Sequence, residues 1–168
     1  MTEEERIPWD SRTPHQLLQT YAQLMQELRR RELIRSSNNP VADYAEALVA
    51  RGLGLSLGHR SVKGFDARDA SGRRYEIKAR RMTPENPSRQ LSVIRNLDID
   101  QFDFLVGVVF AEDFSVLRAA MVPRELVRAH ASYKKHVNGW ILHLRDAIWE
   151  VAGVKDVTPE LIAAAKTL

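Results

Sequence analysis

With 168 residues, 44% of them hydrophobic, the chain is long enough to bury one sizeable core and short for two. It has no cysteine, which excludes disulfides, zinc–thiolate sites and thiol nucleophiles. It also has no apolar run of membrane-spanning length and no signal-peptide pattern, so a soluble cytoplasmic protein is expected. Net charge is only +3, yet between Ser36 and Arg95 eleven Lys/Arg stand against six Asp/Glu, the local bias that a polyanion partner requires.

Residues 1–12 open with three glutamates and show no periodicity, which reads as a disordered tail ahead of a single domain over 13–168 with its core at about 39–110. Thr13-Pro14-His15-Gln16 has the spacing of a capping box and starts a helix with Leu17, Leu18, Tyr21, Leu24, Met25 and Leu28 on one face. Asn39-Pro40 starts a second helix, with Val41, Tyr44, Ala45, Leu48 and Val49 on one face, Glu46 at its edge and Gly52 as its stop. A short strand within Gly52 to Gly58 comes next. Strands at about Lys63 to Asp69 and Arg73 to Arg81 then follow, joined through Ala70-Ser71-Gly72. Phe104 to Phe110 is continuously apolar, as in a strand buried on both faces, and Val116 to Val122 should hairpin back to it through Glu112-Asp113. Pro123 opens a helix to about Ala131, Trp140 to Arg145 reads as another strand, and Thr158-Pro159-Glu160 caps a terminal helix.

The chemistry concentrates in the hairpin. Side chains alternate along a strand, so Glu76, Lys78 and Arg80 share one face and Tyr75, Ile77 and Ala79 the other. A three-residue loop with Gly72 left-handed pairs Asp69 with Arg73 and sets Asp66 opposite Glu76. Two adjacent carboxylates repel unless a cation bridges them, and hard oxygen ligands suit Mg²⁺ or Mn²⁺. Lys78 beside such an ion could orient water and stabilise charge on a phosphoryl transition state, and Glu46 could hold a second ion if its helix packs beside the hairpin. The tripeptide alone carries no weight, because roughly 0.8 acid-x-Lys matches are expected by chance in a chain of this composition. The competing reading is a solvated strand face with a cross-strand ion pair.

The order of a helix with Glu46, a strand, Gly64-Phe65-Asp66, Glu76-Ile77-Lys78, a connecting segment and the buried strand Phe104 to Phe110 resembles the PD-(D/E)XK nuclease superfamily over about Asn39 to Phe110. Phe65 stands where the superfamily's name has proline, and no helix is evident between Lys78 and Phe104. The resemblance implies a restriction-endonuclease-like mixed β-sheet flanked by helices in an α/β domain. It further implies Asp66, Glu76 and the Ile77 carbonyl as metal ligands, Lys78 as the catalytic lysine and Glu46 as the helix carboxylate.

The basic residues Lys63, Arg80, Arg81 and Arg89 and the neutral Gln90, with Lys134 and Lys135 in Tyr133 to Gly139, are candidate nucleic-acid contacts. His130, His136 and His143 lack the helical spacing of a zinc site and read as ordinary histidines, and the Gly52 to Gly58 run reads as backbone turning. The expected function is a metal-dependent nuclease hydrolysing phosphodiesters in duplex DNA. The alternatives are an inactive nucleic-acid-binding or assembly module of the same fold, and a ribonuclease or toxin. Cutting both strands suggests a homodimer, with Trp140, Trp149 and Ala163 to Ala165 as the expected interface.

Overall fold

The computed structural model describes residues 9–58 and 64–168, and the chain divides into two compact units, Met1–Asn38 and Asn39–Leu168. In the first, Trp9–Ser11 form a 3-10 turn where a disordered tail was expected, and residues 1–8 of that tail lie outside the described residues. Helix α1 (Pro14–Arg30) begins as its sequence dictates. Thr13 Oγ1 accepts from the Gln16 N–H, and the Gln16 side chain accepts from the Thr13 N–H, which closes the capping box.

The second unit is mixed α/β. Its helices are α2 (Val41–Leu53), α3 (Arg124–His130) and α4 (Thr158–Ala165). Its strands are β1 (Ser56–Leu57), β2 (Ala67–Arg68), β3 (Arg74–Arg81), β4 (Phe104–Phe110), β5 (Val116–Pro123), β6 (Ser132–Lys134), β7 (Gly139–Ile141) and β8 (Lys155–Asp156). Six of them form one sheet in the order β1-β2-β3-β4-β5-β8, while β6 and β7 form a separate hairpin. Among the described residues, β3 and β4 are the one parallel pair of this sheet.

That parallel pair needs a crossover, and the sequence between Met82 and Asp103 makes it without a helix. The crossover is held instead by backbone pairing: Leu91 N–H donates to Leu142 O at 3.0 Å, and Ile94 and Trp140 exchange bonds of 2.9 and 2.8 Å. Asp103, just ahead of β4, accepts from the Arg74 N–H at 2.6 Å and from its guanidinium at 3.0 Å, so the starts of β3 and β4 are clamped together.

The continuously apolar β4 is buried on both sides, from Leu105 to Phe110, and separates two cores. On one side Tyr75, Ile77, Val106, Val108 and Phe110 pack under Ala45, Leu48 and Val49 of α2 and Leu161 of α4. On the other, Leu105, Val109, Ala120 and Val122 are covered by Leu91, Ile94 and Leu97 of the crossover together with Leu142, Leu144 and Ile148. At about 1.5–3 kcal/mol for each large apolar side chain buried, these covers are what holds the crossover in place without helical hydrogen bonds. Gly107 permits the close approach: a Cβ there would lie 2.8 Å from Leu144 and 2.9 Å from Leu91.

Several boundaries differ from expectation. α2 passes through Gly52, whose missing side chain admits the Glu160 carbonyl to 3.2 Å of where a Cβ would stand, and ends on Gly54 at φ 64°. Of the strand expected over Lys63 to Asp69, Lys63 lies outside the described residues, and the rest narrows to Ala67–Arg68. The strand expected at Trp140 to Arg145 is β7, paired with a β6 that went unanticipated. Trp140 and Trp149 are half-buried instead of exposed: Trp140 meets Tyr133 edge-on at 5.6 Å, and Trp149 lies under the Arg118 guanidinium and donates Nε1–H to the Ala119 carbonyl. Of the rest of the expected dimer interface, Ala163 and Ala165 are exposed on α4 and Ala164 is buried. Among the described residues, no helix is long and apolar enough to cross a membrane.

Candidate active site

The hairpin register is the one that its turn chemistry dictates. Gly72 adopts φ 86°, Gly72 N–H donates to Asp69 O, and Asp69 N–H donates to Arg73 O, closing the three-residue loop. Arg68 then pairs with Arg74 and Ala67 with Tyr75. Ala67 and Tyr75 both enter the α2-side core. Glu76, next to Tyr75 on β3, is therefore directed to the opposite face, and Asp66, just ahead of β2, stands near enough for its charge to act on the Glu76 carboxyl.

Asp66 is fixed by its own backbone and by its carboxylate. Its N–H donates to Tyr75 O at 2.8 Å, its carbonyl accepts from Gly58 N–H at 2.8 Å, and Oδ2 accepts from the Ile77 N–H at 2.7 Å. The side chain thus takes the place of a ladder hydrogen bond. Because N–H and C=O of one strand residue point the same way, the Ile77 carbonyl also opens towards β2 and Asp66.

Glu76 and Lys78 are largely enclosed, with side-chain exposures of 16% and 17%, and the Lys78 ammonium lies directly on Glu76 Oε1. Burial pushes the Glu76 carboxyl above the ordinary carboxylate range. Lys78 opposes that shift, and the negative charge of Asp66 adds to it. Among the described residues, Lys78 is the cation paired with Glu76, and the charge of Asp66 acts on the same carboxyl. That set of Asp66, Glu76 and the Ile77 carbonyl fits a hard divalent ion such as Mg²⁺ or Mn²⁺.

Glu46 is not brought to this pair. Its helix α2 packs against the Tyr75 and Ile77 face of β3, whereas alternation sends Glu76 and Lys78 to the other face. Glu46 Oε2 is buried, and no group of three or more His, Asp or Glu side chains among the described residues converges as an ion site.

The candidate nucleic-acid contacts divide. Arg80 shares the Lys78 face and is half-buried, with its Nε shielded from water. Arg81 goes to the opposite face, where Nε donates to the Glu112 carbonyl at 2.7 Å and the guanidinium lies 4.6 Å from the Phe114 ring centre, so it does not extend the Lys78 row. Arg89 is paired with Asp146 at 2.6 Å, and Gln90 is half-buried in a backbone bridge to His143. Lys134 and Lys135 are exposed at the β6–β7 hairpin. Lys63 lies outside the described residues. Part of the basic surplus is spent internally, since Arg73, Arg74, Lys78 and Arg89 each carry a carboxylate partner.

One residue that sequence reasoning passed over joins the row. Arg80 pairs with Val109, and Val109 with Arg118, so Arg80 and Arg118 flank Val109 on the Lys78 face. Only the strand register reveals that neighbourhood, because the two arginines are far apart in sequence. No protein-family model and no curated protein matches this chain.

Proposed function

We propose that this protein is a divalent-metal-dependent nuclease of the restriction-endonuclease-like kind, hydrolysing phosphodiester bonds with duplex DNA as the expected substrate. The observation that carries the reading is the enclosed Asp66–Glu76 pair with Lys78 beside it, on a strand paired in parallel with the buried β4. The resemblance to the PD-(D/E)XK superfamily supports it through the same residues.

Asp66, Glu76 and the Ile77 carbonyl would hold the ion. When bound, Mg²⁺ or Mn²⁺ supplies positive charge at the phosphoryl oxygens and acidifies water. The protein's own part is positioning. The Asp66 carboxylate is aimed by the Ile77 N–H, and the Glu76 carboxylate is held by Lys78. Lys78 would orient the attacking water and stabilise the charge developing on the phosphate. Arg80, on the same face, would contact a neighbouring phosphate.

A second reading is favoured by one observation. The direct Lys78–Glu76 contact is also what an ion-paired, inactive nucleic-acid-binding module would contain. The deciding experiment incubates the full chain with supercoiled plasmid, single-stranded DNA and RNA in Mg²⁺, Mn²⁺ or EDTA, alongside Glu76→Gln. Plasmid nicking that needs the ion and disappears in Glu76→Gln supports the nuclease. Cleavage confined to RNA moves the substrate to the ribonuclease reading, and binding without cleavage of any substrate establishes the inactive module.

A further inference from the structure

A second, chemically different site lies where α3 ends and the β6–β7 hairpin closes. There a cleft of 310 Å³ is lined by His130, Ser132, His143 and Arg145, with Ile141 and Ile148 on its apolar side. The chain assembles these residues from four places. His130 is the last residue of α3, Ser132 opens β6 and pairs with Ile141 of β7, His143 is held by its bridge to Gln90, and Arg145 precedes the 3-10 turn Asp146–Glu150.

Three observations together point to a ligand. No carboxylate lines the cleft, and the adjacent Asp146 is turned to Arg89 at 2.6 Å. Among the described residues, none of the four polar side chains is engaged in a hydrogen bond or ion pair, so their donors remain unspent. Ile141 and Ile148 are buried in the wall, so the polar rim stands against an apolar surface. A guanidinium, two imidazoles and a hydroxyl form a donor-rich, acid-free set, the chemistry that recognises phosphate oxygens. Two imidazoles do not make a metal centre here, since no third ligand joins them among the described residues. The volume sits at the small end of the range for ligand pockets.

We propose that this cleft binds a phosphomonoester carried on a compact, flat-faced group, of the size and chemistry of a nucleoside 5′-monophosphate. Arg145 takes the phosphate, His130, Ser132 and His143 complete its hydrogen bonds, and Ile141 and Ile148 take the ring. The inference stands independently of the Asp66–Glu76 pair, with which the cleft shares no residue.

The test is a titration of the ¹⁵N-labelled full chain, followed by amide NMR shifts, with adenosine 5′-monophosphate, adenosine and inorganic phosphate in parallel. Saturable shifts at Ser132, His143 and Arg145 are expected with the monophosphate, weaker ones with phosphate, and none with adenosine. Arg145→Gln changes an exposed side chain, so the spectrum elsewhere should stay that of the folded protein. It should weaken monophosphate binding by roughly tenfold to a hundredfold, as loss of a charged hydrogen-bond donor does. Arg145→Lys should recover part of that loss. Equal shifts with adenosine, unchanged affinity in Arg145→Gln, or no saturable shift with any of the three probes would overturn the proposal.

Discussion

The two ends of the β2–β3 hairpin place carboxylates in opposite circumstances. At the turn, Asp69 accepts from the N–H groups of Ser71 and Arg73, from the Ser71 and Tyr75 hydroxyls and from the Arg73 guanidinium. Those donors, the Ser71 hydroxyl foremost, hold its carboxyl well below the usual carboxylate range. At the open end, Glu76 is enclosed, has one ammonium and faces a second carboxylate, and its carboxyl is pushed up instead. The same strand pair thus carries a carboxylate that folding satisfies and one that folding leaves in deficit. Asp69 is surrounded by donors, as a structural acid is, and the proposed cation site at Glu76 is short of them.

The largest effect that would break this contrast is on catalysis. Asp66→Ala and Glu76→Ala should each abolish cleavage while the domain stays folded by circular dichroism. Lys78→Ala should lower kcat by about 10²–10³-fold, the usual loss on removing one group that stabilises transition-state charge, and should still bind the ion. A Lys78→Ala enzyme of full activity would reduce that residue to an ion-pair partner.

Stability should sort the two ends in opposite directions. For a carboxyl raised by folding, the stabilising state is the protonated one, complete below the unfolded carboxylate range and lost as pH rises through the folded value. Denaturant unfolding of Glu76→Gln, which mimics that state, should therefore gain on the parent chain as pH rises towards neutrality. Asp69→Ala should do the reverse. A lowered carboxyl stabilises above its unfolded value and loses that contribution as pH falls through the folded one, so the variant's deficit at neutral pH should shrink in acid. Parallel pH profiles for the two variants would erase the distinction.

The smallest effect concerns the arginines beyond the pair. Arg80→Ala should flatten the log–log salt dependence of DNA affinity by about one, whereas Arg81→Ala should leave it unchanged, because Arg81 is committed to Glu112 and Phe114 on the far face.

Much of the hairpin was legible in the sequence because its rules are local. Gly72 at the third loop position fixes the register, and period-two alternation then assigns Glu76 and Lys78 to one face. The run Phe104 to Phe110 was legible for the same reason, since an unbroken apolar stretch leaves no polar face to expose. What was not legible depends on distant contacts. The side of the sheet that α2 covers decides where Glu46 goes, and no local pattern encodes it. The Arg80–Arg118 adjacency requires the β3-β4-β5 register. The half-buried Trp149 owes its cover to Arg118 across the sheet, and β6 exists only as the partner of β7.

The claim that Asp66 and Glu76 are a cation site in deficit is tested most directly by titrating the full chain and Glu76→Gln with Mn²⁺ while following paramagnetic broadening of the amide NMR signals. Saturable broadening centred on Asp66, Ile77 and Lys78 in the parent chain, and its loss in Glu76→Gln, is the expected result. No saturable broadening near Ile77, or equal broadening in both proteins, would contradict it.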